Sequence, residues 1–411
     1  MEKFIARQPV FDLQRVVYGY ELLFRAGTGN FFPNMSVDLA CASTADNVFL
    51  FGIERLTRGR RAFVNCSREF LVRDYAAVLP KDRVVIEILE STEPDLEVVR
   101  ACRRLKSAGF TIALDDFVGA ASWGPLVDLA DCIKVDFLAT DAELQLRFCR
   151  EYSKRNIRML AEKVETYADF DRAREYGYNL FQGYFFSRPE ILTRHDVPAY
   201  KLNYLRVLQT ANRAELDQSE ISDCIKAEAS LSYRLLRYLN SPAFFLVTEV
   251  RSIQHALMLL GERGIRRWVS LVAIACMGED KPQELLLLPL VRARFCELLA
   301  PLADKEGAAN DLFLLGLLSA IDAILDMKIE DILKEIPIRS EIREALLGEQ
   351  NELRRIYDVA LHYERAEWQA FERAARQIGI PVEAVSDLYV RSMEWAAAVL
   401  AGKEVTDSAP V

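Results

Sequence analysis

Along the first half of the chain, short runs of β-branched and aromatic residues recur between turn formers. They fall at Phe4–Val10, Val16–Phe24, Ala62–Cys66, Val84–Leu89, Phe110–Leu114, Ile133–Phe137, Ile157–Ala161 and Asn179–Tyr184. Runs of that length and composition predict eight strands. From the third onward, helical patterns separate them. In Pro94–Ala108, Leu96, Val99 and Leu105 are assigned to one apolar side, Pro94 to the first turn and Gly109 to the stop. Strand and helix in regular order predict a parallel sheet, and eight strands can close a barrel. Only Phe11–Arg15 separates the first two strands, which is room for a hairpin and not for a crossover helix. One strand is therefore predicted to run antiparallel to its neighbours.

From about Pro198 the strand pattern stops and 3.6-residue spacing takes over. Helices are predicted at Tyr200–Ala211, Glu220–Ala227, Ser230–Leu239, Ser252–Leu260, Arg263–Met277, Leu285–Ala303, Asn310–Leu325, Ile329–Leu333, Arg339–Leu347, Glu352–Gly379 and Pro381–Ala401. The expectation is an α/β TIM-like barrel over 1–197 followed by an all-α helical bundle over 198–411.

Composition narrows the function. Lys+Arg number 52 against 61 Asp+Glu, a net charge of −9 in 411 residues. A DNA or RNA binder, or a protein of anionic membranes, needs a positive surface, so those classes are set aside. The start, MEKFIARQPVFD, has charges where a signal peptide needs an apolar core. The longest uncharged apolar stretches, Trp268–Met277 and Leu312–Ile321, are far shorter than the roughly 20 residues of a membrane span. Eight scattered cysteines without a C-x-x-C pair suit reduced core positions. A cytoplasmic protein is expected.

In a β/α barrel, chemistry sits at the carboxyl ends of the strands. Those ends read Glu21, Asn65, Glu87, Asp115 with Asp116, Lys134, Glu162 and Gln182, so five of eight polar groups are carboxylates. Any one of them taken alone reads best as a solvated loop start or a helix N-cap. A whole ring of them, with a lysine and a glutamine included, points to a site. Crowded carboxylates repel one another, and hard divalent cations relieve that conflict. Two ions sharing a carboxylate suit in-line phosphodiester cleavage.

These residues also carry a resemblance. Tyr20-Glu21-Leu22-Leu23-Phe24-Arg25 resembles the signature of EAL domains, bacterial cyclic-di-GMP phosphodiesterases, with Leu22 in place of the usual Ala. Phe63-Val64-Asn65-Cys66-Ser67, Glu87-Ile88-Leu89-Glu90-Ser91, Asp115-Asp116-Phe117 and Ile133-Lys134-Val135-Asp136 follow in family order. Ala161-Glu162-Lys163-Val164-Glu165-Thr166 is similar to A-E-G-V-E-T, and Gln182-Gly183-Tyr184 to the closing Q-G-Y motif. The resemblance implies a barrel with an antiparallel first strand and hydrolysis of cyclic-di-GMP to pGpG with two divalent ions, Mg²⁺ or Mn²⁺. It implies that Glu21, Asn65, Glu87 and Asp115 ligate one ion, and that Asp115, Asp116 and Glu162 serve a second. Lys134 would polarise the attacking water and Glu162 accept its proton. Arg25 would grip a phosphate, with Gln8, Pro9, Gln182 and Pro189 on the substrate side and Glu90 and Glu165 bracing the loops. The family loop D-D-F-G-T-G reads Asp115-Asp116-Phe117-Val118-Gly119-Ala120 here. Val118 is expected to change the backbone course beside the second ion and the family's dimer contact. That leaves a non-catalytic cyclic-di-GMP receptor as the rival to the enzyme, with a scaffold that binds no nucleotide third.

Leu231–Phe244 and Val250–Gly261 resemble the core of an HDOD domain, a relative of metal phosphohydrolases without their His-Asp ligands. The chain has three histidines, His195, His255 and His362, too few and too scattered for such a centre. Arg263, Arg266 and Arg267 beside Trp268 read as a solvated helix end, and Leu285–Leu288 as core. The helical half is therefore expected to bind a protein partner, with a homodimer through the barrel implied by the family.

Overall fold

A computed structural model describes residues 3–26, 52–119, 121–188, 198–213, 215–227, 231–232, 235, 250 and 252–401. The chain divides into two compact units, Met1–Phe186 with Tyr363–Trp368, and Ser187–His362 with Gln369–Val411.

The first unit is a closed eight-stranded barrel in sequential order. Its strands are β1 (Lys3–Asp12), β2 (Val17–Ala26), β3 (Arg61–Cys66), β4 (Val84–Ile88), β5 (Thr111–Leu114), β6 (Cys132–Asp136), β7 (Arg158–Glu162) and β8 (Leu180–Gln182). β1 pairs antiparallel with both β2 and β8, and the remaining pairs are parallel. The tight β1–β2 connection, with Asp12 accepting from the backbone of Gln14 and Val16, produces this exception. β4 and β6 are buried at every position, as strands covered on both faces must be.

The barrel interior is layered. Val10, Phe63, Val85, Ala113, Cys132, Leu160 and Leu180 form one buried apolar cluster with Tyr18 packed against it. Residues two apart on a strand share a face. Two positions further toward the mouth on these strands stand Gln8, Asn65, Glu87, Asp115, Lys134, Glu162 and Gln182. The apolar layer is thus the floor beneath a polar layer. On β2 the floor position is Gly19, where an added Cβ would meet the Arg61 carbonyl at 2.8 Å and the Phe63 ring at 3.0 Å. Two residues on from Gly19 is Glu21.

The barrel helices confirm some local readings and correct others. Leu96–Ser107 is capped by the Asp95 side chain, so Pro94 precedes the helix, and Gly109 follows its end at φ 95°. Val98, Val99, Ala101, Cys102 and Leu105 are buried, whereas Leu96 is 74% exposed. Leu96 lies nine residues from Leu105, half a revolution out of phase at about 100° per residue.

Gly183 turns the chain after β8 at φ 144°, and a Cβ there would stand 2.1 Å from the Val164 carbonyl oxygen and 2.5 Å from its nitrogen. Both are backbone atoms fixed by hydrogen bonds, Val164 N–H to Gln182 O and Phe185 N–H to Val164 O. Gly183→Ala is expected to cost at least about 2 kcal/mol in urea unfolding. A loss under about 0.5 kcal/mol would mean that this turn can relax.

The second unit is helical. Ile253–Met277 bends at Gly261, where φ is 63°. The single helix expected at Glu352–Gly379 is two, Glu352–Glu364 and Trp368–Gln377, because Ala366 takes a left-handed conformation in a stretch with no Gly or Pro to announce it. Asn310–Leu325 is likewise divided, into Ala309–Leu318 and Ile321–Leu325. Gly316 lets helices touch, since a Cβ there would sit 2.5 Å from the Ala293 nitrogen. The basic group is not a solvated helix end. Arg267 pairs with Glu297 and stacks on Phe313 at 4.0 Å, while Arg266 donates to the Ala211 and Arg213 carbonyls. Arg263 alone of the three is exposed. Leu285, Leu286 and Leu287 are core. Most of Leu231–Phe244, together with Cys41 and His195, lies outside the described residues. Among the described residues, the cysteines are free thiols and no helix is long and apolar enough to cross a membrane.

Candidate active site

The polar layer of the barrel converges on one ammonium group. Lys134 lies in the middle of β6 with a side chain only 1% exposed. Its Nζ stands 2.7 Å from Glu87 Oε1, 2.8 Å from Asp115 Oδ1, 2.8 Å from Glu162 Oε1 and 3.2 Å from Glu21 Oε2. These carboxylates come from β4, the residue after β5, β7 and β2. Glu21 and Lys134 are mid-strand and not terminal, because β2 runs on to Ala26 and β6 to Asp136.

Amide side chains hold Glu21 from two further directions. Asn65 Nδ2 donates to Oε1 at 3.1 Å and Gln182 Nε2 to Oε2 at 2.7 Å. Gln182 also donates to Gln8 Oε1 at 3.0 Å, which ties β8 and β1 to the same cluster. Pro9 follows on β1, half-buried. The side chain of Arg25, and Pro189, lie outside the described residues. Glu90 is exposed, and its charge acts on Asp116. Glu165 is half-buried beside Thr166, which caps the helix Tyr167–Tyr176 in a capping box with Asp169.

Four carboxylates around one ammonium leave an excess of negative charge in a buried place. Burial drives Glu87 well above the ordinary range, with Lys134 opposing the rise and Glu21 and Asp115 adding to it. Burial likewise raises Asp115, and it pushes Glu162 up to about 8 against the pull of Lys134. For Glu21 burial is outweighed by Lys134 and by the hydrogen bonds from Gln182, Lys134 and Asn65, so its carboxyl is held low. Burial alone would lower Lys134, but the four carboxylates hold it well above its usual value.

These directions set a pH dependence for chelator-treated protein. Glu87, Asp115 and Glu162 keep protons in the folded state at pH values where the unfolded chain has released them. For Glu162, from the unfolded glutamate value of 4.5 up to about 8, the folded state binds more protons, so its contribution to stability falls as pH rises, and Glu87 and Asp115 act in the same direction. Glu21 acts oppositely, adding stability above 4.5 that is lost as pH falls. Between about pH 5.5 and pH 7.5 Glu21 is ionised in both states while Glu162 still holds its proton only in the folded one, so lower stability is predicted at about pH 7.5 than at about pH 5.5 in urea titrations. A rise across that window would contradict the assigned charges.

The donor set suits a hard divalent cation. Glu87 Oε2, Glu162 Oε2, Asp116 Oδ1 and Gln182 Oε1 are buried without a hydrogen-bond partner. Unsatisfied carboxylate and amide oxygens are the ligands such ions take. Among the described residues no three acidic, histidine or cysteine side chains stand at ligand spacing, since the carboxylates are drawn onto the Lys134 ammonium instead.

The loop after β5 is anchored by an aromatic side chain. Phe117 is buried against Trp123, Phe148 and Tyr152. The left-handed positions are Asp116 at φ 41° and Gly119 at φ 78°, while Val118 is 76% exposed. The site residues that sequence reasoning passed over are Asp136 and Lys163. Lys163 forms an ion pair with Asp136 and stands 4.0 Å from Asp116 Oδ1. Asp136 follows Lys134 by two on the same strand face, and that spacing was the available signal.

The family model of the EAL domain matches residues 63–189 and that of the HDOD domain matches residues 197–353. The EAL match begins after Glu21, which joins the site through its contacts in the barrel. The uncharacterized protein YuxH of Bacillus subtilis is 33% identical over 96% of this chain and 98% of its own. A cyclic di-GMP phosphodiesterase of Vibrio cholerae, CdgJ, is 32% identical over 95% of this chain and 92% of its own. Among solved structures, the calcium/cy-diGMP complex of Klebsiella pneumoniae BlrP1 is 24% identical over 46% of this chain and 56% of that one, at a TM-score of 0.39. The two family models together with relatives aligned almost end to end establish that the chain belongs to the EAL–HDOD family.

Proposed function

We propose that this chain hydrolyses one phosphodiester bond of cyclic-di-GMP to give linear pGpG, using divalent cations, Mg²⁺ or Mn²⁺, in an EAL-type barrel over 1–197. The HDOD-type part, 198–411, would carry the output to a protein partner. The observation that carries this reading is the gathering of Glu21, Glu87, Asp115 and Glu162 around Lys134 above the apolar floor of the barrel. The similarity to CdgJ supports it.

Glu21, Asn65, Glu87 and Asp115 would hold one ion, with Asp115, Asp116 and Glu162 as the second set. A bound divalent cation draws charge from a phosphate oxygen and acidifies water. Lys134, within ion-pair distance of Glu21, Glu87, Asp115 and Glu162, would hold and polarise the attacking water. Glu162 would accept the proton of that water. The water oxygen bonds to phosphorus, one P–O bond to a ribose breaks, and the departing oxygen takes a proton from solvent. The second phosphodiester bond stays intact, so the product is a linear dinucleotide. Gln182 keeps Glu21 and Gln8 in place. Arg25, Pro9 and Pro189 would contact the nucleotide, and Glu90 and Glu165 would brace the loops.

The test is chromatographic, with purified protein, cyclic-di-GMP, and Mg²⁺ or Mn²⁺, and with Glu21→Ala as control. The expected result is pGpG from the wild type alone. Calorimetric binding without product would transfer the chain to the receptor class. Neither product nor binding would remove both readings.

A further inference from the structure

Beside the Lys134 cluster lies a second lysine whose position is set by the backbone. Lys163 directly follows β7 with φ 53°, a left-handed conformation disfavoured for a residue with a Cβ. Its neighbours hold it there. The Glu162 carbonyl accepts from Phe137 N–H at 3.1 Å, and Val164 N–H donates to the Gln182 carbonyl at 2.9 Å. Strained non-glycine positions that the surrounding structure pins in this way concentrate at functional sites.

The side chain then reaches over the end of the neighbouring strand β6. The Lys163 ammonium pairs with Asp136, and Asp116 Oδ1 is 4.0 Å away. Asp136 is itself fixed, its Oδ1 accepting from the backbone of Leu138 at 2.7 Å and Ala139 at 2.9 Å. Asp116 is likewise in a left-handed conformation, between Asp115 and the buried Phe117. Its buried Oδ1 has no hydrogen-bond partner. Lys163 therefore places a monovalent positive charge against Asp116, one of the two carboxylates that belong to the second ion set and not to the first. Like charges close together in a partly desolvated site oppose one another, and a tethered ammonium is always present at its site.

Building on the proposed metal-dependent reading, we infer that Lys163 competes with a divalent cation at Asp116, so that this barrel binds one divalent ion tightly and a second only weakly. The side chain is 52% exposed, so it can swing into solvent when a second ion is supplied at high concentration. Lys163 is a positioning residue in this scheme, and the selectivity it controls is ion stoichiometry.

The test uses full-length, chelator-treated protein and a Mn²⁺ titration in which free Mn²⁺ is followed by electron paramagnetic resonance. Lys163→Met removes the charge and leaves the strain at φ 53° as it was, whereas glycine would change both. The expected wild-type isotherm has one tight ion and a second at least about tenfold weaker. Lys163→Met should tighten the second ion about tenfold or more without moving the first, and Lys163→Arg should behave as wild type. Thermal melts of all three proteins establish that the variants are folded. Two equally tight ions in the wild type, or an isotherm unchanged in folded Lys163→Met, would overturn the inference and leave the metal-dependent reading intact. No Mn²⁺ bound by any of the three would overturn both.

Discussion

Lys134→Met is expected to destabilise the metal-free protein by roughly 3–5 kcal/mol, the cost of removing one partner from a buried ion pair. Methionine nearly fills the same volume, so the loss is of charge and not of packing. Glu21, Glu87, Asp115 and Glu162 would then face one another in a place already 0–13% exposed, with no cation among them. Some would respond by taking up protons. The destabilisation should accordingly grow as pH rises, and it should be larger at about pH 7.5 than at about pH 5.5. A divalent ion should restore more stability to the variant than to the wild type, because it supplies the missing charge. Urea unfolding with and without Mg²⁺ measures all of this. A loss below about 1 kcal/mol, or a loss independent of pH, would show that Lys134 is not the hub of the cluster.

Glu21→Ala should have the opposite balance of effects. With every carboxylate ionised, the cluster carries four negative charges against one positive, and removing one of the four relieves repulsion. The variant also leaves Asn65 and Gln182 without their acceptor, each donating to Glu21 in the wild type. These terms offset, so a stability change much smaller than that of Lys134→Met is expected. Activity should respond far more strongly. Loss of the ligand role proposed for Glu21 should weaken divalent-ion affinity by more than about 100-fold, beyond what outer-shell changes cost. Turnover to pGpG should fall by about 10³-fold or more, the scale seen when a group that stabilises transition-state charge is removed. Stability measured beside ion binding separates the two cases. A variant that unfolds as readily as Lys134→Met would assign Glu21 a structural role, and one that still turns over substrate would remove it from the ion site.

Much of this protein is determined locally. Eight strands, the tight β1–β2 connection and the antiparallel strand follow from hydrophobic runs and from the length of the chain between them. The site is legible for the same reason. An apolar residue followed two positions later by a polar one recurs as Phe63 and Asn65, Val85 and Glu87, Ala113 and Asp115, Cys132 and Lys134, Leu160 and Glu162, Leu180 and Gln182. Strand periodicity puts both members of each pair on one face, so a floor and a polar layer are written into neighbouring residues.

Tertiary structure decided what those polar groups do to one another. Lys134 and Glu21 are 113 positions apart, and only closure of the barrel brings them within 3.2 Å. The same closure draws four carboxylates onto one ammonium, raising three of them and lowering Glu21. Lys163 reaches Asp116 and Asp136 because backbone bonds to two neighbouring strands hold it at φ 53°. The helix break at Ala366 and the inward use of Arg267 have no composition signal, since each depends on partners distant in sequence or on a backbone angle that alanine rarely takes. Local periodicity assigns faces, whereas charge, protonation and competition for a cation arise only between residues that the fold has brought together.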